Sequence, residues 1–121
     1  MKELLSIHFT IEQSKLVRYA GASGDFNELH TVPQNAIERG HPNVVAHGMY
    51  IMGLATNAIK QWFPDLKLTD IKVRFQTAVY PGDKLTIKGH FTKKESNTHG
   101  NIEIMDSDGQ VKLIGNFEMK D

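Results

Sequence analysis

The spacing of apolar residues changes partway along this chain of 121 residues, and that change limits the folds open to it. In the first half, apolar residues recur at helical intervals. In the second half they alternate, as in Ile71, Val73 and Phe75 against Lys72 and Arg74, which is typical of half-buried strands. Short turns separate these strands, so the sheet should be antiparallel. We therefore predict an α+β protein whose strands fall at about residues 71–77, 85–91, 102–104 and 111–119, with a short first strand at 6–9.

Two shorter helices are predicted before the midpoint of the chain. The sequence Thr10-Ile11-Glu12-Gln13 has the form of a capping box. It predicts a helix over Ile11–Ala20 that ends at Gly21. A second helix is predicted over Pro33–Arg39, because proline suits a first helical turn and Gly40 suits the end.

The segment from Met49 to Trp62 is the most apolar helical stretch, and Pro64 ends it. A helix that is apolar on most sides is normally buried, and no other predicted element is apolar enough to cover the sheet. Gly53 lowers helix propensity by about 1 kcal/mol relative to alanine, which close packing against the sheet would explain. Since one helix cannot cover a wide sheet, we expect two such units to pair.

Composition argues against several functions. Lys plus Arg equals Asp plus Glu, at 14 each, so no basic surface for nucleic acid is expected. The absence of cysteine excludes disulfides and thiolate sites. The amino-terminal residues lack the apolar run of a signal peptide, and no stretch approaches the roughly 20 apolar residues of a membrane span. We expect a soluble, cytoplasmic protein that forms one domain over residues 1–121 and binds neither nucleic acid nor membranes.

The first segment that can carry chemistry is Gly24–His30, between the two shorter helices. Asp25 and His30 lie five residues apart, so in a loop their side chains can converge on one water. A carboxylate and an imidazole can exchange the protons of that water near neutral pH. From spacing alone, however, a structural loop is favoured, in which Asp25 and Asn27 bond the backbone.

The second segment is Val44–Met49, at the beginning of the apolar helix. Gly48 there exposes an N–H group at the positive end of the helix, where a carbonyl oxygen gaining negative charge could be held. The alternative is a glycine required only by the turn or by packing. Thr56, two turns along the helix, is explained by a hydrogen bond to a helical carbonyl.

A metal site is not expected. His30, His41 and His47 fall in one region of the sequence, but the spacing of six between His41 and His47 does not place two ligands on one helix face.

Tyr19–His30, followed by Ala46-His47-Gly48-Met49, resembles the MaoC-like family of (R)-specific enoyl-CoA hydratases and (R)-3-hydroxyacyl thioester dehydratases. The resemblance covers about residues 10–89 and includes the turn Tyr80-Pro81-Gly82-Asp83. It implies a hot-dog fold, in which an antiparallel sheet wraps around a long central helix. It also implies dimers with sites near the subunit interface.

The resemblance assigns roles to individual residues. It implies that Asp25 and His30 are catalytic and that the Gly48 N–H polarises a thioester carbonyl. The supporting or substrate-binding residues that it implies are Asn27, Ala46, His47 and Thr56. The substrate would be a trans-2-enoyl or (R)-3-hydroxyacyl thioester of coenzyme A or acyl carrier protein, in fatty-acid metabolism. No cofactor is required.

Two departures from the family's pattern concern substrate choice. Glu28 stands where the family commonly has proline, and Thr31-Val32-Pro33 stands where an acidic residue commonly follows the histidine. The single short unit favours short or medium acyl chains. Two alternatives stay open: a non-catalytic or partner-dependent subunit of a mixed assembly, and a thioesterase. Thioesterases of this fold generally carry a carboxylate on or near the central helix, and Met49–Gln61 has none.

Overall fold

The computed structural model describes the backbone of residues 2–121 and the side chains of residues 6–121. Its elements, in chain order, are β1 (Lys2–Thr10), α1 (Gln13–Ser23), α2 (Glu28–Thr31), α3 (Pro33–Glu38), α4 (Gly48–Trp62), β2 (Lys67–Phe75), β3 (Lys84–Lys94), β4 (Asn97–Asp106) and β5 (Val111–Lys120). Strands β3, β4 and β5 extend beyond the ranges expected from alternation, because backbone pairing continues past the last apolar residue. Strand β2 begins earlier than predicted and ends at Phe75, short of the predicted Thr77.

The strands form one antiparallel sheet in the order β1-β3-β4-β5-β2, which confirms the predicted sheet type. The register places Ile87, Ile104 and Leu113 side by side on β3, β4 and β5. All three are buried. The alternation read in the sequence therefore becomes one apolar face of the sheet.

Helix α4 lies on that face, as predicted. Its buried residues Ile51, Ala55, Ala58 and Ile59 recur at helical spacing and join the sheet residues in one core. The α+β arrangement of a long helix against an antiparallel sheet is thus confirmed. Within the described part of the chain, no helix has the length and apolar character needed to cross a membrane.

The predicted capping box is wrong. Thr10 is the last residue of β1 and pairs with Lys84, so strand pairing fixes its backbone. The residue that precedes α1 is Glu12, and its side chain makes no capping hydrogen bond. Pairing with a distant strand has outweighed a local helix signal.

The predicted end of this helix is also wrong. Gly21 lies inside α1, and the helix ends at Gly24, whose φ of 77° is the left-handed conformation that favours glycine. The Gly24 N–H donates to Ala20 O at 2.9 Å. The longer helix therefore delivers Asp25 directly from its end.

The second helix is confirmed: α3 begins at Pro33, and Gly40 follows with a φ of 90°. The explanation offered for Gly53 is wrong. Gly53 is exposed, and a Cβ added there would meet nothing within 4 Å, so the described chain gives it no packing partner.

Candidate active site

Asp25 and His30 are placed by a series of short-range hydrogen bonds. Ser23 Oγ accepts the Asp25 N–H at 3.2 Å, and Asp25 Oδ1 accepts the Asn27 N–H at 3.3 Å. Asn27 Oδ1 then accepts the Leu29 N–H at 2.9 Å and so caps α2. The backbone bonding expected of Asp25 and Asn27 is therefore present, and it presents His30 on a single helical turn.

The hydrogen bonds of His30 define its free nitrogen. Nδ1 lies 2.7 Å from Val45 O, which can only accept, so the network assigns the proton to Nδ1. Nε2 then has a free lone pair in the neutral ring, and it lies 3.9 Å from Asp25 Oδ2. That distance is too long for a direct hydrogen bond but allows each atom to bond one shared water at about 2.8 Å. The Asp25 side chain is 51% exposed and that of His30 is 16% exposed, so solvent can reach the space between them.

His47 contacts both members of this pair. Its Nε2 lies 3.0 Å from Asp25 O and donates to it, and its ring stacks on that of His30 with centroids 4.1 Å apart. The Tyr19 ring packs against the His47 ring, with centroids 4.9 Å apart. His47 is only 2% exposed, and its Nδ1 finds no hydrogen-bond partner among the described residues. This bridging position of His47, and the contact from Tyr19, were not foreseen from the sequence.

Gly48 is the first residue of α4. The N–H groups of Tyr50 and Ile51 both donate to His47 O, whereas those of Gly48 and Met49 find no acceptor among residues 2–121. Free N–H groups at the positive end of a helix favour an anionic oxygen. A cavity of about 310 Å³ opens onto this point, lined by His30, Val45, Ala46, Gly48, Ile51, Phe75, Gln76, Thr77, Ala78 and Val79.

Phe75 is a site residue that sequence reasoning missed. Its ring lies 3.3 Å from the position that a Cβ on Gly48 would take, so close packing accounts for glycine here. Close packing and the free N–H of Gly48 are compatible, so the two explanations offered for this glycine do not exclude each other. The alternation of β2 placed Phe75 on the buried face with Ile71 and Val73, but at the strand end it is 48% exposed. An aromatic residue at the end of the strand was the available signal.

Ala46 and Thr56, two of the predicted supporting residues, lie in different surroundings. Ala46 is buried, lines the cavity and donates its N–H to Val79 O at 2.8 Å. The Thr56 hydroxyl donates to Met52 O at 3.0 Å, which is the helical back-bond expected from the sequence. Thr56 is not among the residues that line the cavity.

Asp25, His30 and His47 each offer a ligand atom within 4.8 Å of the others. This is a different set from the histidines weighed in the sequence, because His41 bonds the Tyr80 hydroxyl at 2.9 Å instead. The rings of His30 and His47 are stacked at 26°, so their in-plane lone pairs run along nearly parallel planes and do not meet at one point. A tetrahedral ion needs converging lone pairs, so this arrangement does not fit a metal.

Comparison with known proteins extends the match beyond the motifs. The family model described as "MaoC like domain" matches residues 2–111. The 3-hydroxyacyl-thioester dehydratase X of Mycobacterium tuberculosis is 42% identical over 55 residues, which are 46% of this chain and 20% of that protein. The matched part of the chain makes up between 7% and 40% of the length of the curated relatives compared.

Solved structures show the fold. The R-hydratase PhaJ1 from Pseudomonas aeruginosa superposes with a TM-score of 0.92 at 22% identity, covering 99% of this chain and 80% of that one. The ChsH1-ChsH2 complex from Mycobacterium tuberculosis contains a chain with a TM-score of 0.88 at 18% identity, covering 98% and 94%. The hot-dog fold expected from the sequence is therefore confirmed.

Proposed function

The chain belongs to the MaoC-like dehydratase family, and we propose that it adds water to trans-2-enoyl thioesters and removes it from (R)-3-hydroxyacyl thioesters. One observation carries the proposal. His30 and Gly48, whose N–H is unpaired, line one largely apolar cavity, and Asp25 Oδ2 lies 3.9 Å from the free Nε2 of His30, although Asp25 is not itself a lining residue. A proton-exchanging pair and an oxyanion donor are the two elements that hydration of a conjugated thioester requires.

In the hydration direction, a single water molecule donates two hydrogen bonds, one to the Asp25 carboxylate and one to His30 Nε2. Its oxygen attacks the β-carbon while one member of the pair takes a proton. The electron pair of the double bond moves onto the thioester oxygen, where the Gly48 N–H stabilises it. Return of a proton to the α-carbon restores the carbonyl, so the sum is the addition of H and OH. The thioester is itself the electron sink, so this route asks for no cofactor.

The supporting roles follow from contacts. Asn27 caps the helical turn that carries His30. His47 bonds the Asp25 carbonyl and stacks on His30, and Ala46 forms cavity wall. The role of Thr56 near the substrate stays a prediction.

The cavity wall supports an acyl substrate. Val45, Ala46, Ile51, Phe75 and Val79 give it an apolar surface, and a volume of about 310 Å³ suits a short or medium chain. Coenzyme A and acyl carrier protein both remain candidate carriers, and the cytoplasmic location stays a prediction.

Glu28 fits its place in this active site. It is the first residue of α2, where a carboxylate favours the helix end, and its Oε2 accepts from Asn35 Nδ2 at 3.2 Å. Glu28 therefore joins α2 to α3. We infer that this side-chain hydrogen bond fixes the loop where proline would fix it in other family members.

We also propose that a second copy of the chain covers the outer side of the site. Phe26 directly follows Asp25 and is 64% exposed, and Val17 and Met49 are large exposed residues on α1 and α4. Exposed apolar groups of this size mark interaction surfaces. Sedimentation should show a dimer or a larger assembly. A stable monomer would contradict this part of the proposal.

The function is tested by following loss of enoyl thioester absorbance with crotonyl-CoA and longer trans-2-enoyl-CoA substrates, with free thiol measured in parallel. We expect hydration without thiol release. Release of thiol would identify a thioesterase. Binding without turnover at every chain length would support the non-catalytic subunit of a mixed assembly.

A further inference from the structure

Lys112 on β5 is a buried charge outside the site described above. It is 4% exposed, and its Nζ donates to Ala78 O at 2.8 Å. Two carboxylate oxygens lie close to Nζ, Asp106 Oδ2 at 3.7 Å and Asp83 Oδ2 at 3.9 Å. Gln110 Oε1 lies at 3.4 Å. A buried ammonium group is costly without such partners, so its position is tightly specified.

The Lys112 ammonium helps to hold the segment of residues 76–83 between β2 and β3, whose first residues form one wall of the cavity. Gln76 N–H donates to Lys112 O, and the Thr77 hydroxyl donates to Val111 O, both at 2.9 Å. The bond from Lys112 Nζ to Ala78 O is the third tie between this segment and β5. Gln76, Thr77 and Ala78 all line the cavity.

The far end of the same segment is also organised around this charge. Asp83 Oδ2, which faces Lys112, accepts the Tyr80 N–H at 2.9 Å, and the ammonium lies 5.8 Å from the centre of the Tyr80 ring. Burial first, and Asp83 second, raises the pKa of Tyr80. The Tyr80 hydroxyl lies 2.9 Å from His41 Nδ1.

A continuous path of contacts leads from Ala78 to the catalytic pair. The next residue, Val79, accepts the Ala46 N–H at 2.8 Å. Val45, adjacent to Ala46, accepts the His30 Nδ1–H at 2.7 Å. Residues 76–79, which follow β2, thus connect the buried ammonium of Lys112 to Ala46, the neighbour of the residue whose carbonyl fixes the tautomer of His30.

We propose that Lys112 is a positioning residue for His30, acting through Ala78, Val79, Ala46 and Val45. Its kinetic consequence rests on the proposed function. Without the ammonium, Ala78 O loses its donor, and the Asp83 and Asp106 carboxylates lose the cation that lies within 4 Å of both. Like charges repel, so the cavity wall shifts and Val45 O no longer holds His30 Nδ1 in place.

The test compares Lys112→Met, which keeps length but removes charge and donor, with Lys112→Arg, which keeps both. Ile102→Val, a buried change on β4, controls for loss of stability alone. ¹⁵N NMR spectra of the imidazole rings report the tautomer of His30 without substrate. The His30 signals are assigned as those that disappear in the His30→Gln variant. In Lys112→Met we expect partial loss of the Nδ1–H form and a fall in kcat of about 3- to 30-fold. Lys112→Arg should keep the Nδ1–H form, and its kcat should stay within about threefold of wild type.

A folded Lys112→Met variant with the wild-type His30 tautomer and kcat would overturn the proposal. So would equal tautomer changes in Ile102→Val. If Lys112→Met does not fold, Asp106→Asn weakens the same cluster, and it should shift the tautomer in the same direction by less. Wild-type protein inert on every enoyl thioester would remove the proposed function, while the tautomer comparison would still decide the role of Lys112.

Discussion

The two halves of the candidate site are held in different ways. The half that carries Asp25 is exposed and is built from hydrogen bonds between near neighbours, Ser23 to Leu29. The half that carries Gly48 begins α4 and follows the buried residues Ala46 and His47, and the Ala46 N–H donates to Val79 O in the segment after β2. The proposed oxyanion donor, Gly48, thus adjoins the buried core, and the proposed acid–base pair is attached to that part of the site.

The attachment consists of a few hydrogen bonds across the site. Among the described residues these are His30 Nδ1 to Val45 O, Val45 N to Leu29 O and His47 Nε2 to Asp25 O. Each such bond contributes about 0.5–1.5 kcal/mol, a small part of a folding free energy of 5–15 kcal/mol. Changes in the acid–base half should therefore reduce activity with little loss of stability.

The largest effect should come from the pair itself. Asp25→Asn and His30→Gln should each lower kcat by about 10²–10⁴, because each removes a proton acceptor from the shared water. The melting temperature of Asp25→Asn should change little, since the Asp25 side chain is half exposed. Asp108→Asn and His99→Gln, both at exposed positions, are matched controls and should leave kcat unchanged. Near-normal hydration of crotonyl-CoA by both site variants would contradict the assignment.

Phe75→Ala should have the next largest effect, and it acts on the half of the site that carries Gly48. The ring lies over Gly48 and lines the cavity, so its loss removes apolar contact with a short acyl group. We expect kcat/KM for crotonyl-CoA to fall about tenfold and the preference to move to longer chains. Steady-state kinetics across chain length measures this. An unchanged chain-length profile would show that the acyl group lies elsewhere.

The sequence predicted more of the fold than of the site. Alternation and the Met49–Trp62 stretch identified the sheet and α4, since apolar faces are encoded locally. The beginning and end of α1 were missed because β1 pairing placed Thr10 in a strand and the left-handed turn fell at Gly24. Motifs brought Asp25, His30 and Gly48 together. The contacts of Phe75 and Lys112 join residues far apart in the chain, which only the folded register specifies.

His47 tests the connection between the two halves. His47→Gln keeps a donor for Asp25 O but loses the ring that stacks on His30, and His47→Phe keeps a ring but loses the donor. We expect both to fold and to lower kcat by about 2- to 10-fold, the equivalent of one neutral hydrogen bond or less. If the bond to Asp25 O is the main connection, the Phe variant is the slower. Wild-type kcat in both variants would show that the loop holds Asp25 unaided.

Gly48→Ala should give the smallest effect, and it tests how firmly the half of the site that carries Gly48 is fixed. The variant keeps the free N–H, and its new Cβ would lie 3.3 Å from the Phe75 ring. Adding a methyl group to a filled core costs about 1–3 kcal/mol, but a half-exposed ring can move toward solvent. We therefore expect kcat/KM to fall by less than about fivefold, and Phe75→Leu in the same chain to restore it. A larger fall that Phe75→Leu leaves in place would mean that the Cβ blocks the thioester oxygen itself, so that the glycine is required by the substrate and not by the ring.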